Sequence, residues 1–289
     1  MITGRVLIAW SVLGAVLLIF GTAAFALTFS SDEVAGRERL IEGLLPLWRW
    51  LALLILVLSP LVLLAITAGM AETNWRAAIP LVPEVLRATH AGRIWECRLP
   101  ITAALLVLTL APLRLIGAAR AILCASGMLL MLESLTSHAI DIGAIAVAID
   151  WVHEMAAALW LGAVFGLWFG AGHEKLGADW VEYAAPWVSR LAGWTVTVLI
   201  LSGAFMAYSH LAHDPARIIY AVYGRTLMVK LGAASVVLLI GAYNRFVLMP
   251  EIDGPQARAR LLRNVGVESL LLCGVAGLAV LLANTPPAH

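Results

Sequence analysis

Residues 137–162 read SHAIDIGAIAVAIDWVHEMAAALWLG. Two apolar segments meet here around a short turn that holds Asp141 and Asp150 but no Lys or Arg. Hydrocarbon about 30 Å thick is crossed by about 20 apolar residues in a helix. The stretch therefore reads as the junction of two membrane-spanning helices. His138 ends one and His153 begins the next, so both imidazoles face the same side of a membrane. Imidazole is the commonest protein ligand for copper and similar metals. A polar group at membrane depth is costly and marks a functional-site candidate.

The rest of the chain has the same character. It is 62% hydrophobic and 13% charged, with a mean hydropathy of +0.93. A soluble domain carries roughly 25% charged residues. We expect an all-α, polytopic transmembrane bundle forming a single integral membrane domain over 1–289. Eight spans are predicted, near 5–29, 44–69, 99–118, 121–140, 144–170, 188–210, 226–248 and 264–283. The first four occupy 1–140 and the others 141–289. The third and fourth are expected to join tightly around Arg120. Ala24-Phe25-Ala26 resembles a signal cleavage site, but the apolar run before it is too long for a signal peptide. The segment 70–98 is the largest outside the spans and suits a short interfacial helix. A net charge of +1 points to no nucleic acid. No phosphate-binding loop is present, which argues against ATP-driven pumping. Cys97, Cys124 and Cys273 form no metal or disulfide motif and read as small apolar filler.

Basic residues orient the bundle. One side collects Arg5, Arg76, Arg87, Arg93, Arg98, Arg217 and Arg225. The other collects Arg37, Arg39, Arg49, Arg114, Arg120, Lys175, Arg190, Arg245, Arg258, Arg260 and Arg263. The richer side is cytoplasmic by the positive-inside rule. Both termini then face the periplasm, with every histidine but His173 at the outer edge. Trp48, Trp75, Trp95, Trp151, Trp180 and Trp187 fall near span boundaries and read as an aromatic belt.

Several faces are candidates for chemistry. Met131 and His138 are seven apart on the fourth span, with Met128 one turn further in. Thioether with imidazole suits Cu(I). His153 and Trp160 are seven apart on the fifth span, among small residues that admit a close neighbouring helix. Ser202, Met206, His210 and His213 form a stripe on the sixth. The metal candidates are therefore His138, His153, His210, Met206 and Met131. Extra imidazole or the carboxylates Asp141 and Asp150 would shift preference toward Cu(II). Lys230 lies deep enough to need a partner, and Asn244 is the simplest neighbour for Glu268. No catalytic constellation is read, so the chain is not expected to be an enzyme.

SHA at 137–139, His153 followed by AAALWLG at 156–162, YGRTLMVKLGAASVVLLIGAYNRFVLMP at 223–250 and VESLLLCGVAGLAVLLANTPP at 267–287 resemble the copper resistance protein D family. The likeness covers 137–287; the first four spans match mainly in hydropathy. It implies a multi-pass protein of the bacterial inner membrane that takes copper inward. It carries over His138 and His153 as ligands, with Trp160, Lys230, Asn244, Arg245 and Glu268 as structural or pathway residues. It implies copper as the ligand and a periplasmic chaperone of the copper resistance protein C type as partner. Some members of that family carry this domain fused at the N-terminus; none is expected here, so the chaperone is expected to be separate, and membrane lipid is the other expected partner. Two other readings remain open. One is a haem-binding membrane redox protein, against which the histidines gather at one depth. The other is a scaffold whose histidines are incidental.

Overall fold

A computed structural model describes residues 2–28, 34–173, 176, 179–211 and 222–285. Among them no strand occurs. The helices are α1 (Ile2–Thr28), α2 (Val34–Met70), the short α3 (Trp75–Ala78) and α4 (Val82–Ala88), α5 (His90–Leu110), α6 (Leu115–Ser134), the one-turn α7 (Ala139–Ile142), α8 (Ala144–Ala171), α9 (Trp180–Leu211), α10 (Val222–Tyr243) and α11 (Pro255–Ala283). A π turn over Asn244–Leu248 follows α10.

Eight helices of 20 residues or more among the described residues overlap the eight expected segments. Among the described residues, seven are long and apolar enough to cross a membrane. The exception is α5, whose first half carries Arg93, Glu96 and Arg98. Its 21 residues would span about 31 Å at the α-helical rise. Its ends lie at opposite ends of the bundle. His90 bonds the Leu135 carbonyl at the close of α6, and Arg49 of α2 bonds the Thr109 carbonyl. Arg5 at the start of α1 lies beside Gly69 at the end of α2, and His138 meets Ala283 at the end of α11. Gly43 and His173 meet at the opposite end.

Two boundaries differ from expectation. The turn between α5 and α6 falls at residues 111–114, not at Arg120, which lies inside α6. Pro112 cannot donate a backbone hydrogen bond, which suits it to the break. The segment 121–140 is not one helix either. α6 stops at Ser134, where Thr136 and Ser137 turn their hydroxyls onto the carbonyls of Glu133 and Ser134. Such side-chain bonds compete with helix continuation. Gly143 then joins α7 to α8 at φ +132°, a conformation L-residues rarely adopt.

One apolar core runs through the bundle and draws on α1, α2, α5, α6, α8, α9, α10 and α11. Its tightest seam is α1 against α8. A Cβ on Gly162 would lie 2.0 Å from the Gly21 carbonyl carbon, and one on Gly21 would lie 1.8 Å from the Ala158 oxygen. Backbone thus meets backbone, as small residues permit in membranes. Phe25 fills the space over Gly166. The tryptophans correct the belt reading: Trp48, Trp95 and Trp180 are buried. Trp48 donates to Thr22 Oγ1, Trp180 to the Leu167 carbonyl and Trp151 to the Gly127 carbonyl. These rings are struts between helices.

The seam makes a prediction. Gly162→Val should destabilise the protein by about 1–3 kcal/mol, the usual cost of overpacking. Gly14→Ala, which meets nothing within 4 Å, should not destabilise it. Unfolding of the purified protein in detergent compares the two.

Candidate functional site

The residues 134–154 form a hairpin that gathers polar groups at one end of the bundle. Ser137 sets its shape: its hydroxyl accepts from the Ala139 N–H and lies 2.9 Å from Asp150 Oδ2. Start and finish of the hairpin are thereby tied.

Both histidines are half-buried, and their partners define their tautomers. His138 Nε2 lies 3.0 Å from the Ala283 carbonyl. A carbonyl only accepts, so this nitrogen carries the proton and Nδ1 keeps its lone pair. His153 Nδ1 lies 2.8 Å from Ser202 Oγ. The Ser202 proton is committed to the Val198 carbonyl at 2.6 Å. Ser202 therefore accepts from Nδ1–H, leaving Nε2 able to bind a metal. A hydrogen bond on the second nitrogen is how ligating histidines are usually oriented.

The other expected ligands are dispersed. Met206, one turn from Ser202, is half-buried and packs against Ala139, Ala146 and Val147 around the hairpin. Met131 is half-buried, but α6 ends before His138, so the two do not share a continuous helix face. Met128 is exposed. The His210 side chain and His213 lie outside the described residues. His90 adds a ring beside Leu135. Cys97 and Cys124 are exposed and Cys273 is half-buried. Among the described residues, no three His, Cys, Asp or Glu side chains converge as a metal site.

Sequence reasoning missed the Arg98–Glu133 pair, which joins Asp150, Glu154 and Lys230 in a charged cluster beside His153. Arg98 of α5 is 4% exposed and forms an ion pair with Glu133 of α6. It also stacks 4.9 Å from the Trp95 ring centroid. Glu154 faces Glu133, Asp150, Arg98 and Ser134. Lys230 of α10 has Asp150 and Glu154 as its charged neighbours, not Glu268. The negative groups nearest in effect to Lys230 thus come from α8. Arg98 Nε, Ser134 Oγ and Glu154 Oε2 are buried atoms with no hydrogen-bond partner among the described residues.

A second polar group lies deeper. Glu268 of α11 is 3% exposed. Its Oε1 accepts from Trp160 Nε1 at 3.0 Å and its Oε2 from Asn244 Nδ2 at 3.2 Å. Asn264 Nδ2 donates in turn to Asn244 Oδ1 at 2.9 Å. The expected Asn244–Glu268 pairing is therefore present. Asn244 opens the π turn after α10, a helix form frequent at functional sites.

These features define a polytopic helical membrane protein with its ionisable side chains drawn inward at two depths. A family model described as copper resistance protein D matches residues 182–282. One described as the copper resistance protein D-like, N-terminal domain matches residues 1–144. No curated protein and no solved structure matches the chain. The chain belongs to the copper resistance protein D family, which places it among copper-handling membrane proteins. The stretch 145–181, with His153, Glu154 and Trp160, lies between the two matches.

Breaking the Arg98–Glu133 pair should be costly, because it strands a carboxylate at depth. Arg98→Ala should lower stability by about 2 kcal/mol or more. The double variant Arg98→Met with Glu133→Leu should recover much of the loss. Unfolding midpoints of both in detergent check this.

Proposed function

We propose that the protein carries copper inward across the inner membrane, with His138 and His153 as the outer capture ligands. The observation that carries the reading is the tautomer pair: each ring anchors one nitrogen on the protein and keeps the other as a donor. Two imidazoles leave copper under-coordinated. Met206 is the closest match to a third donor, since it packs on the hairpin itself. Met131 and His210 are further candidates from the same end. A thioether beside imidazoles favours Cu(I). So small a donor set suits a transporter, which must bind well enough to load yet weakly enough to release.

The charged cluster supports the same reading. Arg98 and Lys230 face Glu133, Asp150 and Glu154. Asp150 and Glu154 stand within one turn of His153 on α8, and carboxylates there offer oxygen donors to an arriving cation. Copper is the cargo. A separate periplasmic chaperone of the copper resistance protein C type is the proposed donor, and the whole chain acts as one membrane unit with both termini outside.

His138→Ala and His153→Ala should each weaken copper binding while leaving folding intact. Ser202→Ala should weaken it roughly 10–100-fold, as expected for a group that only orients a ligand. Competition with a Cu(I) chelator measures all three. Parent-like affinity in both histidine variants would refute the capture site.

Orientation is checked separately. Reporter fusions after residue 289 and within 30–43 should report opposite sides of the membrane, with the C-terminus outside.

A further inference from the structure

A cavity of about 220 Å³ lies among α8, α9, α10 and α11, in the half of the bundle away from His138. Its walls are mostly apolar. The groups that matter are Trp160, Asn244, Arg245, Met249, Glu268 and Ser189. His153 and Trp160 lie seven residues apart on one face of α8, so the cavity begins about 10 Å below the histidine.

The carboxylate in this cavity is unusual in what it lacks. Among the described residues, Glu268 is held only by the neutral donors Trp160 and Asn244. Among the described residues, no Lys or Arg forms an ion pair with it. The cavity does contain one cation, Arg245, but that side chain is exposed and turned toward α9. Its Nη1 donates to the Ser189 carbonyl at 2.9 Å and lies 3.2 Å from Ser189 Oγ. A carboxylate buried without a counter-charge is costly in a membrane interior. The carboxylates beside His153, by contrast, have Arg98 and Lys230. The hydrogen-bond chain ends on the carboxyl group: Asn264 donates to Asn244 and Asn244 donates to Glu268.

We infer that this cavity is a transit site for the cargo cation, with the Glu268 carboxylate as its counter-charge. Met249 gives the cavity a thioether and Trp160 an indole face, donors suited to a soft cation. The site rests on the reading of the chain as a copper carrier and extends it to the second half of the path. Arg245, bonded across the mouth to α9, sits where a leaving ion has to pass.

The test uses the full chain in lipid vesicles and in crystals, with Cu(I) under reducing conditions as the probe. Glu268→Gln keeps the side chain's shape and its bond from Trp160. It should slow Cu(I) uptake at least about tenfold, since a hydrogen-bonded charge is typically worth more than 1.4 kcal/mol. It should leave binding at the histidine end unchanged. Anomalous scattering at the copper edge should place an ion in the parent's cavity within bonding distance of Glu268. This second measurement decides the matter even where the variant fails to fold. Parent-like uptake by Glu268→Gln overturns the inference, as does copper at His153 with none in the cavity. Both results leave the capture reading standing. No copper on the parent at either place overturns both.

Discussion

The polar architecture hangs on the backbone contact between α1 and α8. Gly21, Ala158 and Gly162 let the two helices touch without side chains between them. That contact occupies one face of α8 and presses it into the apolar core. Any Cβ at Gly21 or Gly162 would drive α8 away, and with it every group α8 presents to other helices. His153 meets Ser202 of α9, and Trp160 meets Glu268 of α11. Asp150 and Glu154 face Lys230 of α10. One helix thus supplies members to both polar stations, and its position sets the distance between them.

The helices themselves were readable because each requires a long apolar run, and composition cannot hide that. Their breaks were harder. The end of α6 depends on whether Thr136 and Ser137 bond backwards to the helix or continue it, and both outcomes fit the same letters. Pro112 was a usable signal for the α5–α6 turn, whereas Arg120 misplaced it. The tryptophans were misjudged because position near a span end suggests an interface. Trp48 and Trp180 instead spend their N–H groups on neighbouring helices.

Within the site, pairings along one helix or across a short turn were accessible, and long-range ones were not. Asn244 with Glu268 follows from adjacent antiparallel helices joined by a short connection. Arg98 with Glu133 also joins two consecutive helices, α5 and α6, but placing their turn at Arg120 instead of 111–114 hid the pairing. Lys230 illustrates the limit well. Its depth announced that it needs a counter-charge, but only the packing brings Asp150 and Glu154 to it.

The two stations solve the cost of membrane charge in different ways. Near His153, carboxylates and cations are brought together, so much of the field is cancelled locally. At Glu268 the compensation is by dipoles alone: an indole N–H and a chain of two amides. Neutral donors stabilise a carboxylate without occupying the role of a counter-ion, so the site's electrostatic attraction for a cation stays intact. In the transit reading proposed above, an Arg or Lys placed beside Glu268 would take the role of counter-ion permanently and close the path.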